Sequence, residues 1–142
     1  MSRPDLDALL NFLLPAAQEF LRAQGEFHPF AVQMVQDGSI SAVAGHTGDE
    51  LPEAPDLIAL LLDGFRQQAA AGNVRAAGIC INATVVRPGQ SAQVDAICAQ
   101  LEHEDGECVD VFLPYSNERP GQYAYGELFA SAGQPRVFNY QP

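Results

Sequence analysis

The stretch LEHEDGECVDVFLPY, residues 101–115, sets two apolar runs on either side of Glu104-Asp105-Gly106. Alternating apolar residues around an Asp-Gly pair mark a β-hairpin. Loop length then decides everything, because a one-residue slip turns every side chain to the other face of the sheet. With a two-residue Asp105-Gly106 turn, His103 lies opposite Cys108 and shares a face with Asp110, a Cys-His-Asp cluster of catalytic appearance. With a three-residue Glu104-Asp105-Gly106 loop, His103 lies opposite Glu107. Leu101 then meets Val109, Ala99 meets Val111 and Ile97 meets Leu113, while Gln100 faces Asp110 and Glu102 faces Cys108. Cross-strand pairs differ by up to about 1 kcal/mol each. Three apolar pairs therefore favour the three-residue loop, with His103 a surface histidine beside Glu107.

The same turn chemistry occurs earlier, in FHPFAVQMVQDGSISAVAG. A three-residue Gln36-Asp37-Gly38 loop sets Phe30, Val32 and Met34 against Ala44, Ala42 and Ile40, with Gln33 and Ser41 on the other side. Further on, VRAAGICINATVV alternates, with Ala77, Ile79, Ile81, Ala83 and Val85 on one face and Gly78, Cys80, Asn82 and Thr84 on the other. The runs VDAICAQLEH, ECVDVFLPY, QYAYGELFA and RVFNY follow as strands. Two segments keep helical spacing instead. The first starts near Ser2 and Pro4 and carries Leu6, Leu9, Leu10, Leu13, Ala17, Phe20 and Leu21 up to Gly25; Pro15 should kink or split it near Leu14. The second carries Ile58, Leu61, Leu62, Phe65 and Ala69 up to Gly72, with Gly64 inside it easing close packing. A polar loop, HTGDELPEAPD, precedes it. The expected fold is a single α+β domain over 1–142. It has an antiparallel sheet of five or six strands in the order α-β-β-α-β-β-β-(β), with both helices on one face.

Composition narrows the chemistry. Seven basic residues against eighteen acidic ones give a net charge of −11, which disfavours nucleic acid and anionic membranes and suits a basic partner. Every basic residue is an arginine, so lysine chemistry (a P-loop lysine, a Schiff base, a lysine general base) is excluded. Cys80, Cys98 and Cys108 are an odd number without a CxxC pair, read as free thiols in a reducing cytoplasm. The start, MSRPDLDALLNFLLP, is interrupted by Asp5 and Asp7, unlike a signal peptide, and no apolar run reaches the roughly 18 residues of a membrane span. His28, His46 and His103 lack zinc-ligand spacing, an EF-hand centred on Gly106 lacks its acids, and no GxSxG or phosphate-binding glycine loop occurs. No cofactor or metal is expected.

The pattern FHPFA, DGSI, VDAICAQLEHEDGECVDVFLPY and YGELFA resembles a family of small, acidic bacterial proteins with no assigned activity. The resemblance spans nearly the whole chain, implies a bacterial cytosolic α+β domain and carries over no catalytic residue. The element order also resembles the roadblock and profilin-like arrangement, except that RVFNY stands as a terminal strand where a roadblock protein carries a third helix. Two functions follow as expectations. The first is a non-catalytic binding or interaction module, adaptor or immunity-like, that pairs with itself as a homodimer or with another protein. The second is a small enzyme or ligand-binding domain with a pocket at one end of the sheet near Glu102, His103 and Tyr115. Phe112, Tyr115, Glu102 and His103 are the candidate interaction or ligand residues. The dimer expectation rests on a sheet face carrying Val94, Ala96, Cys98 and Phe112, to which the last strands add either Tyr123 and Tyr125 or Ala124 and Leu128, with Phe12 and Leu60 outside the helix stripes; a loop at 45–55 or the C-terminal segment is the rival cover.

Overall fold

The computed structural model describes residues 3–43 and 54–138. The helix-start signal at Ser2, the pairing of Ala44, most of the HTGDELPEAPD loop and the end of RVFNY lie outside the described residues.

Helix α1 (Arg3–Gln24) leads to the hairpin β1 (Phe30–Val35) and β2 (Ile40–Val43). Helix α2 (Ala54–Ala70) follows, then β3 (Val74–Val86), β4 (Gln93–His103), β5 (Cys108–Arg119), β6 (Gln122–Tyr125) and β7 (Phe129–Ala132). All strands join one antiparallel sheet in the order β2-β1-β3-β4-β5-β6, with β7 on the same edge of β5 as β6. This is the α+β class with an open sheet that the periodicities predict.

Both hairpin registers follow the three-residue loops. Val32 faces Ala42, Gln33 faces Ser41 and Met34 faces Ile40. In the second hairpin Leu101 pairs with Val109, Ala99 with Val111, Ile97 with Leu113, Gln100 with Asp110 and Glu102 with Cys108. The loop closes with the His103 amide donating to the Glu107 carbonyl at 2.9 Å, and Gly38 and Gly106 supply the positive φ that each turn requires.

The layering differs from the expectation of two helices on one face. Helix α1 buries Leu6, Leu9, Leu13, Ala17 and Leu21 against Val32, Met34, Ala76, Cys80, Ile97, Ala99 and Leu101. Helix α2 buries Leu57, Leu61 and Phe65 against Ala31, Ala77 and Ile79, which point the other way. The helices lie on opposite faces, and connectivity explains why. β2 and β3 both run antiparallel to β1 and flank it, so they are parallel to each other and need a crossover. α2 is that crossover and lies over one face, which leaves the other to α1. Burial along β3 records the result: residues 76–80 are buried on both sides, whereas 81–86 alternate between half-buried and exposed.

Other differences have local causes. α1 runs unbroken through Pro15. Pro15 and Asn11, whose carbonyl loses its partner, are both exposed, and the leucines on either side hold the helix to the sheet, each burial contributing roughly 2 kcal/mol. The QYAYGELFA run divides into β6 and β7 because 126–128 loop out from the β5 edge, where the Gly126 amide still donates to the Pro114 carbonyl at 2.9 Å. The sheet has seven strands rather than five or six. The described part of RVFNY is not a strand: Val137 and Phe138 tuck under α2, so the C-terminal segment shares in covering the second face. β3 carries one extra residue, Arg75, where the register with β1 steps from Met34↔Ala76 to Val35↔Val74.

Two glycines give opposite expectations. Gly64 is exposed with no atom within 4 Å of a built Cβ, so it eases no packing; Gly64→Ala should raise stability by about 0.5–1 kcal/mol through helix propensity. At Gly78 a Cβ would sit 2.9 Å from both Leu13 Cδ1 and Leu101 Cδ2. Gly78→Val should therefore cost about 1–3 kcal/mol by overpacking. Urea midpoints of the two variants check the pair.

Candidate functional site

Adjacent residues of β4 point to opposite faces, and this separates the sequence candidates. His103 is opposite Glu107 as the register requires, but it is buried on the α1 side rather than a surface residue. Its Nδ1 accepts the Asp105 amide at 3.2 Å, so Nε2 carries the proton toward Asp5 Oδ2, 2.9 Å away. The other Asp5 oxygen accepts from Arg75 Nη2 at 3.0 Å, and Arg75 Nη1 donates to the Gln36 carbonyl at 3.0 Å. The bulge at Arg75 aims that guanidinium at α1. The hydrogen bond from His103, then Arg75, outweighs burial and lowers the Asp5 carboxyl below its ordinary 3.8. This cluster joins the first turn of α1 to both hairpin loops.

Glu102 lies on the α2 side at 5% exposure. Its Oε1 accepts the amides of Arg136 and Val137 at 2.7 and 3.0 Å, and its Oε2 accepts the Phe138 amide at 2.7 Å. Arg66 Nε donates to the Arg136 carbonyl at 2.7 Å, and the Arg136 guanidinium meets Asp110 at 3.3 Å. A buried carboxylate needs such donors, and here three consecutive backbone N–H groups supply them.

Tyr115 belongs to neither cluster. It pairs with Asp95, eight positions from His103 along β4, or about 27 Å. Glu102, His103 and Tyr115 therefore form no common pocket. Tyr115 donates to Asn82 Oδ1 at 2.7 Å and packs against Tyr123 and Tyr125, with ring centroids 5.8 and 6.4 Å away. Burial raises the Tyr115 and Tyr125 phenols. Phe112, on the α2 side, stacks on Phe129 at 5.0 Å.

Among the described residues an open cleft of about 370 Å³ lies between α1 and β6, lined by Pro15, Gln18, Glu19, Arg22, Gly121, Tyr123 and Tyr125. Glu19 and Arg22, one turn apart, form an ion pair on its rim. A smaller hollow of about 200 Å³ lies between Arg87 and the Pro114–Tyr115 and Tyr125–Gly126 backbones. The cleft offers aromatic faces, phenol hydroxyls and one paired charge of each sign. Alternation alone left open whether Tyr123 and Tyr125 or Ala124 and Leu128 join the Phe112 face; the tyrosines lie on the opposite face with Tyr115. The α1 wall was not legible, because its residues lie off the apolar stripe. Among the described residues no His, Cys, Asp and Glu group is arranged to hold a metal ion, and no helix is long and apolar enough to cross a membrane.

Burial disfavours the thiolate form of all three cysteines. Burial drives Cys80 far above the usual thiol range, and burial with the nearby Asp110 carboxylate pushes Cys98 up to about 12. Cys108, half-buried, is raised by burial and then by Glu102. No protein-family model matches the chain, and no curated protein or solved structure matches it significantly.

Two outcomes follow. Iodoacetamide on the folded protein should leave Cys80 and Cys98 unmodified and label Cys108 slowly; rapid labelling of either buried thiol contradicts this. Asp5→Asn should cost about 1–3 kcal/mol at neutral pH, as for a lost hydrogen bond to a charged group. Because the folded Asp5 pKa lies below 3.8, its stabilisation is full above that value and is lost as pH falls through the folded pKa. The stability gap between wild type and variant should therefore close in acid, as urea titrations at several pH values would show.

Proposed function

We propose that the chain is a non-catalytic binding module, adaptor- or immunity-like, that engages another protein or a second copy through the tyrosine-lined cleft between α1 and β6. The observation that supports this most is the cleft's make-up. Tyrosine and arginine are favoured at protein contacts, where a rigid ring with a polar tip gives area at little entropic cost. The buried Glu102 and His103 and the half-buried Asp5 are engaged in holding chain segments to the sheet. The phenols that shift move away from neutral pH, which suits hydrogen bonding rather than proton transfer. The net charge of −11 favours a basic partner and fast, salt-sensitive association. The proposal includes a reducing bacterial cytosol as its setting, consistent with three free cysteines.

The alternative is a small ligand-binding domain or enzyme using the hollow beside Tyr115, favoured by the 2.7 Å Tyr115–Asn82 bond that fixes the ring. One experiment separates the two. Cross-linking and pull-down from the native lysate should recover a partner with wild type that weakens with salt and falls at least tenfold with the Tyr123→Ser/Tyr125→Ser variant. Equal capture by both proteins sinks the interface. A small-molecule thermal upshift that Tyr115→Phe abolishes would favour the ligand-binding domain instead.

A further inference from the structure

We infer that the groove between α2, β3 and β4 is a peptide-acceptor site for an arginine–aliphatic–aromatic segment, filled in cis by Arg136-Val137-Phe138 and open to the same segment of a second copy. The segment is neither helix nor strand. Its three backbone N–H groups go to one side chain, Glu102, at 2.7–3.0 Å, and the Arg136 carbonyl goes to Arg66. Its side chains are read separately. Arg136 meets the Asp110 carboxylate on β5, while Val137 and Phe138 fill an apolar slot with Leu61, Phe65 and Ile79. Backbone capture combined with side-chain pockets is how an extended peptide is recognised from outside.

The occupant is exchangeable for two reasons. It reaches the groove through a three-residue connector, Gly133-Gln134-Pro135, in which Gln134 and Pro135 are exposed and short enough to act as a hinge. An emptied groove also exposes an apolar slot around a carboxylate that has lost its three backbone donors, a site complementary to any segment bearing free N–H groups. The segment of a second copy carries the identical groups. In one chain the tethered segment outcompetes a free one through its high local concentration, so exchange is seen once the tether's hold is weakened. This site is separate from the tyrosine cleft, and its failure would leave the proposed function standing.

The probe is a labelled hexapeptide, Gly-Gln-Pro-Arg-Val-Phe with an amidated C-terminus, the sequence of 133–138. Fluorescence anisotropy with the full-length Val137→Ser/Phe138→Ser variant should show saturable binding at least tenfold tighter than with wild type, and adding Glu102→Gln should abolish it. A folded double variant, verified by circular dichroism, that does not bind the peptide overturns the inference. If that variant fails to fold, amide exchange on wild type decides. Arg136, Val137 and Phe138 exchanging faster than the β3 and β4 amides supports a displaceable segment, and exchange only with global unfolding overturns it.

Discussion

The inner halves of β3 and β4 are covered from both sides, and the rest of the structure follows from meeting that demand. Residues 76–80 and 96–99 are buried although their side chains alternate between faces. One helix cannot cover two faces. α1 takes the first, with Leu13 packed so closely over Gly78 that a Cβ there would clash. α2, obliged to cross from β2 to β3 over β1, takes the second but reaches only part of it. Val137 and Phe138 complete that layer, which makes the C-terminal segment part of the core rather than an appendage.

β4 ends by holding both ends of the described chain. His103 grips the first turn of α1 through Asp5, and Glu102, one residue earlier and on the opposite face, grips 136–138 through three amides. A pleated strand needs no special conformation for this, because neighbouring side chains point apart. The polar groups are costly to bury singly and are each fully partnered: among the described residues no buried side-chain nitrogen or oxygen lacks a hydrogen bond. Removing one partner would strand the others, so these residues serve the fold, and their chemistry is already committed.

Local pattern carried much of this. The register at Glu104-Asp105-Gly106 was legible because three apolar pairs and a glycine turn agree within fifteen residues, and the helix stripes were legible by spacing alone. The side of the sheet taken by each helix was not. The alternation of VRAAGICINATVV puts Gly78 and Cys80 on the face opposite Ala77 and Ile79, without saying what covers either face; the strand is buried on both faces as far as Cys80 and alternates in exposure only beyond it. Gly78 and Cys80 are small because α1 approaches closely there, not because water does. The Asp5–His103 bond joins positions 98 apart, and the capture of 136–138 by Glu102 spans up to 36. No spacing rule reaches that far, so local pattern alone puts His103 at the surface and RVFNY in a strand.

The outer half of the sheet is built under a different demand. Past Cys80, α1 leaves its own face of β3 uncovered, and Asn82, Thr84 and Val86 are exposed. Tyr115, Tyr123 and Tyr125 stand on that face and fill the space with rings, half-buried against the end of the core and half open. Leucines there would bury similar area but leave a bare apolar patch, whereas a phenol keeps its ring dry and its hydroxyl wet. Tyr115 shows the compromise, its ring against two others and its hydroxyl on Asn82. A surface of this kind is stable in water and still has area to give to a partner, which the inner half, while its groove is filled in cis by 136–138, does not.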